Sequence, residues 1–172
     1  MTRKRSNYRP SHKANPLAYM TAIQGAHKLC AHDQLTRAAR VRASVDELAR
    51  DACNFAAWRD VFDCLNMIEA FAHIGLVRHA GEFIREHQDS VVAALDRQKQ
   101  TGSNVLRPVE VQLLRDLAAT WAEVLAEVTC REYFEAEQRV VRKVQNALKA
   151  KRNGANVQLV TLPDGMRAQV AA

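Results

Sequence analysis

Apolar residues return every three or four positions through most of this chain, the spacing of one face of an α-helix. Asn15-Pro16 reads as an N-cap followed by proline in the first turn, and Leu17, Met20, Ile23, His27 and Cys30 then mark a first helix ending near His32. Residues 33 to 43 read as a short basic helix or turn. Ser44-Val45-Asp46-Glu47 has capping-box spacing, which predicts the start of a long helix carrying Leu48, Ala52, Phe55, Trp58, Phe62, Leu65, Ile68 and Ala72 as far as Gly75. A third helix follows, with Leu76, Ala80, Phe83, Ile84, Val91 and Leu95 on one side, and ends near Thr101-Gly102. The tight Gly75 turn predicts that these two helices pair antiparallel.

Arg107-Pro108 opens a fourth helix with Val109, Leu113, Leu117, Trp121, Leu125 and Val128 in period. The stripe resumes as Val140, Val141, Val144 and Leu148, and neither Gly nor Pro intervenes before Gly154. One helix of more than forty residues, projecting from the bundle, is the expectation; a break near Cys130 that folds the chain back is the alternative. Past Asn153-Gly154 the period approaches two, with Val157, Leu159 and Thr161, then Pro163-Asp164-Gly165, then Met166, Ala168 and Val170. That pattern predicts a small hairpin. The fold class is therefore all-α, a bundle of about four helices with a long basic C-terminal helix and a short terminal β-hairpin.

Composition supports this. At 172 residues and 48% hydrophobic the chain suffices for one core-forming domain, and six Gly with four Pro favour helices over sheet. Three regions are expected: a disordered basic arm over 1–14, a helical bundle domain over 15–152, and a C-terminal tail over 153–172. No apolar run reaches the ~20 residues of a membrane span, and the basic start lacks the apolar segment of a secretory signal. A cytoplasmic location is expected. Cys30, Cys53, Cys64 and Cys130 are widely spaced within apolar patterns and are expected to be reduced, structural thiols.

Charge changes the picture more than composition does. Residues 1–43 carry nine Lys or Arg against Asp33, and residues 138–172 carry seven against Asp164. Between them nine bases face 17 acids, although the whole chain is +6. Cationic ends around an acidic middle point to a negative partner, either nucleic acid or the acidic body of another copy.

Arg3-Lys4 with Tyr8-Arg9-Pro10, then Asn15-Pro16 and Tyr19, resembles uncharacterised small helical proteins encoded by bacteriophages and prophages of Gram-negative bacteria. Leu65-Asn66-Met67-Ile68-Glu69-Ala70 leading to Ile74-Gly75, Thr101-Gly102 ahead of Glu110, and Ala136-Glu137 are similar to the same group, so that the likeness spans about residues 3 to 150. The resemblance implies a mobile-element origin and a place in the host cytoplasm. It assigns no site.

Catalytic chemistry finds little footing. Glu69 with His73, or His79 with Glu82 and Glu86, share helix faces, but no Glu-x-x-His occurs, as a carboxylate di-iron centre requires. Gly-x-Ser-x-Gly, Walker A and dinucleotide-binding glycine patterns are absent. Asp60 with Asp63, and Glu123 with Glu127, read as solvated acids on outer faces. The sequence reading is accordingly non-enzymatic, with no cofactor and no metal.

Nucleic-acid binding is the leading expectation. Arg3, Lys4, Arg5 and Arg9, with Tyr8 to stack on a base, form one group of candidate contacts; Arg142, Lys143, Lys149 and Arg152 form the other. Residues 138–152 hold six bases and no acid. Val140, Val141, Val144 and Leu148 make an apolar seam suited to a homo-oligomer. The competing expectation is a protein-interaction factor that engages a host or phage protein through its acidic body.

Overall fold

The computed structural model describes residues 25–77 and 80–153. Among these residues there are five helices and no β-strand: α1 (Ala31–Arg50), α2 (Phe55–His73), α3 (Ala80–Thr101), α4 (Pro108–Glu127) and α5 (Cys130–Arg152). The all-helical reading is confirmed, with one helix more than expected. The expected terminal hairpin, and most of the first expected helix, lie outside the described residues. No helix among the described residues is long and apolar enough to cross a membrane.

Each departure from expectation has a local cause. Residues 26–30 are not helical, so a helix running to His32 is not what forms; α1 starts at Ala31, and the Cys30 Sγ accepts a bond from the Asp33 N–H at 3.4 Å. Ser44 opens no helix. It is buried in the fourth turn of α1, and its hydroxyl donates to Asp60 at 2.9 Å. The break comes instead at residues 51–54, where the Asn54 side chain accepts from the Ala57 N–H at 3.2 Å and so starts α2. Two bonds to the Ala52 region hold this corner: Trp58 Nε1 donates to the Ala52 carbonyl at 2.8 Å, and the Ala52 N–H donates to the Asn104 carbonyl at 2.9 Å.

The helix expected to exceed forty residues is two helices. At Val128-Thr129 the backbone becomes extended, and Thr129 forms a capping box with Glu132: the Thr129 N–H donates to the carboxylate at 2.9 Å while the Glu132 N–H donates back to the hydroxyl at 3.3 Å. Two residues of irregular backbone need no glycine when a side chain satisfies the exposed amides. Across this elbow the Leu29 N–H donates to Val128 O at 3.2 Å and the Cys130 N–H donates to His27 O at 2.8 Å, an isolated antiparallel bridge between Lys28 and Thr129. The alternative of a fold-back near Cys130 is the one that forms.

The core centres on α2, which touches all four other helices and buries Trp58, Val61, Leu65, Ile68 and Phe71. Gln88 reaches Glu69 and Gln98 reaches the Ala52 carbonyl, so α3 runs antiparallel to α2 as expected from the Gly75 turn. Gly75 has φ +85°, a backbone region open to glycine at no steric cost. Leu48 from α1, with Leu117, Trp121 and Leu125 from α4, complete the interior. Polar ties join the layers. Arg40 forks over the Asp60 carboxylate (2.6 and 3.0 Å), linking α1 to α2, and Arg97 forks over Glu110, linking the end of α3 to the start of α4.

Candidate functional site

The last helix is built differently from the rest. Its only buried residue is Ala136; Tyr133 and Val140 pack partly against the core, while most of residues 141–152 are exposed. At about 100° per residue, three faces separate. Tyr133, Ala136, Val140 and Lys143 face α2. Phe134, Val141, Val144 and Leu148 form a second face, 60%, 43%, 43% and 47% exposed. Arg139, Arg142, Asn146 and Lys149, at spacing i, i+3, i+7 and i+10, form a third, and all four are exposed.

Lys143 parts company with the other basic residues. Its ammonium lies 2.6 Å from a Glu69 carboxylate oxygen on α2, the same oxygen that accepts from Gln88 at 3.3 Å. A charge held by a carboxylate has less to offer a phosphate. Arg142, Lys149 and Arg152, by contrast, have no acidic partner among the described residues. Arg139, another of the six bases of residues 138–152, lies on the same exposed face as Arg142 and Lys149. With Asn146 between them, these side chains cover about 15 Å of helix at 1.5 Å per residue. The arm candidates Arg3, Lys4, Arg5, Tyr8 and Arg9 lie outside the described residues.

The chemistry considered along the chain resolves differently. His73 lies 3.7 Å from Glu69, but that carboxylate is already engaged by Lys143 and Gln88. No group of three or more potential ligands gathers around a metal-sized site among the described residues. Asp60 is no solvated outer-face acid: its side chain is only 13% exposed. Burial pushes its carboxyl upward, and the bonds from Arg40 and Ser44 outweigh this, holding it below the usual value. Asp63, one turn along, has neither partner; burial and then the charge of Asp60 raise it instead. The four cysteines are free; burial raises the thiol of Cys64, as befits a packing residue.

The sequence reading missed the Asp60 network and the Asn54 cap. Thr129-x-x-Glu132 was a usable signal for the elbow, whereas nothing local distinguishes Asp60 from Asp63. Comparison with protein-family models, with curated proteins and with solved structures finds no match. Among the described residues, fold and surface thus define an all-helical bundle whose last helix carries separate basic and apolar exposed faces.

Proposed function

We propose that the protein binds nucleic acid without strong sequence preference, as a non-enzymatic accessory factor of phage type acting in the host cytoplasm. The observation that carries this reading is the exposed row Arg139, Arg142, Asn146 and Lys149 along one face of α5. Duplex DNA carries one negative charge per ~1.7 Å of axis, so a row about 15 Å long opposes several phosphates at once. Guanidinium, ammonium and amide groups are the usual donors to phosphate oxygens, and such contacts position a protein without reading bases. The basic arm, with Arg3, Lys4, Arg5, Tyr8 and Arg9, adds phosphate contacts and a stacking ring under this proposal.

A salt series of DNA-binding isotherms tests it. Neutralising Arg139, Arg142 and Lys149 together to Ala is expected to flatten the slope of log K against log salt by roughly two to three, since each phosphate contact contributes about 0.9. Lys143→Ala is expected to change it by less than about half of one contact. An unaltered affinity and slope in the triple variant overturns the proposal.

The exposed face of Phe134, Val141, Val144 and Leu148 favours a second reading, in which the protein works through protein contacts, by self-association or with a host or phage protein. Sedimentation with and without nuclease treatment separates the two. Assembly that persists without nucleic acid and is lost in Val144→Asp supports the protein contact.

A further inference from the structure

His87 is the one buried histidine among the described residues, 2% exposed on the side of α3 that meets α4. Both of its ring nitrogens face carbonyl oxygens. Nδ1 lies 2.7 Å from Phe83 O, one turn back on α3, and Nε2 lies 3.0 Å from Leu113 O on α4. A carbonyl oxygen only accepts, and a neutral imidazole has a single N–H, so a neutral ring serves one oxygen and turns a lone pair toward the other. Only the imidazolium, with a donor on each nitrogen, bonds both. The Phe83 ring, its centroid 4.0 Å from that of the imidazole, sets an electron-rich face beside the cation.

The charged groups around the ring are engaged elsewhere or turned outward. On α4, Glu110 is held by Arg97, while Arg115 and Asp116 are exposed. On α2, the acid turned toward α3 is Glu69, held by Lys143 and Gln88. On α3 itself, Glu82, Arg85, Glu86 and Asp89 are exposed. None of them bonds the imidazole, so the two carbonyls are what its protonation answers to. Burying an imidazolium is unfavourable, and the pair of charge-assisted hydrogen bonds offsets it. The same two helices share the Arg97–Glu110 fork, which weakens when Glu110 takes up a proton. The two ties therefore respond to acid in opposite senses.

We propose that His87 is a proton-operated tie between α3 and α4: the doubly protonated ring fastens Leu113 O to Phe83 O, and loss of one proton to solvent frees the α4 carbonyl. The shorter bond, at Nδ1, keeps its hydrogen, and Nε2 is the nitrogen that gives its proton up. Histidine is the side chain that ordinarily changes charge between about pH 5 and 8. The sign follows from the proton count. The second hydrogen bond exists only while the second proton is bound, so its contribution is present on the acid side and disappears as pH rises.

Long-range proton–nitrogen NMR of the full-length protein, carrying nitrogen-15 in its histidines, tests the tie across about pH 5 to 8.5. The His87 signals are those missing from His87→Gln. Hydrogen on both ring nitrogens is expected on the acid side, and on Nδ1 alone on the alkaline side. Urea unfolding reads the bond itself. The factor by which His87→Gln favours unfolding is expected to grow about tenfold from the alkaline to the acid end, because one charge-assisted hydrogen bond separates the two protonation states. Other titrating groups are common to both proteins and cancel in that factor. If His87→Gln fails to fold, contacts with the Phe83 ring assign the signals and the NMR series on the unaltered protein decides. A nitrogen that stays bare down to the acid end in the folded protein, hydrogen retained on Nε2 at the alkaline end, or a factor that does not change with pH overturns the tie. Neither carbonyl lies on α5, so this result and the DNA-binding isotherms stand or fall separately.

Discussion

Helices α2 and α5 carry apolar stripes of comparable regularity, yet α2 buries nine residues and the longer α5 buries one. A periodic stripe establishes that a helix forms; what covers the stripe depends on neighbours that the period does not name. For α2 the cover is four other helices. For the outer half of α5 it is solvent, because the elbow at Val128-Thr129 turns the chain back only far enough for the first half to pack.

The largest effect that distinguishes the two belongs to α2. Phe71 is fully buried between Trp121 and Tyr133, and Phe71→Ala is expected to cost about 3–5 kcal/mol in urea unfolding. A loss below ~1 kcal/mol would mean that the interior is loosely packed. Next is the Arg97–Glu110 pair. Glu110→Gln is expected to cost about 1–2 kcal/mol at neutral pH, an intermediate figure because Arg97 remains partly hydrated.

The pH dependence of that loss has a defined sign. Arg97's hydrogen bonds hold the Glu110 carboxyl below its ordinary value. Its stabilisation is fully present above the unfolded-state value and disappears as pH falls through the lowered folded one. The unaltered protein and Glu110→Gln should therefore converge in stability on acidification; a constant gap would contradict the assignment.

Smaller again is the cap that creates α5. Thr129→Ala removes the hydroxyl half of the capping box and is expected to cost about 1 kcal/mol. Smallest is the solvent-facing stripe: Val144→Ala should alter monomer stability by less than ~0.5 kcal/mol. A larger, concentration-dependent change would show that a partner buries this face, and the contrast with α2 would then end.

Sequence made the helices around Trp58, Phe83 and Leu117 legible because their apolar period is strong. Gly75 and Pro108 made two boundaries legible because their backbone chemistry is special. The remaining boundaries were harder. Leu48, Ala52 and Phe55 keep helical spacing straight across the break that Asn54 caps, and Val128 continues the stripe of α4 to the elbow. Ser44 offered a good cap sequence in the wrong place, because burial beside Asp60 decided its use. Among the bases of α5, composition named Arg142, Lys149 and Arg152 as candidates but could not separate Lys143, whose partner Glu69 is 74 positions away. A cleft between α1, α2, α4 and α5, with Val41, Met67, Trp121 and Glu137 in its walls, was not legible at all, since it joins the first helix pair to the last one across the fold.

The short bridge between residues 27–29 and 128–130 has a mechanical corollary. It fastens the chain entering the bundle to the pivot from which the final helix departs, by two backbone hydrogen bonds flanked by the buried side chains of Leu29 and Val128 and by the Lys28–Glu127 ion pair. Tension on the polypeptide ahead of His27 is thereby delivered to that pivot, and a load carried by the outgoing helix travels back along the same strip.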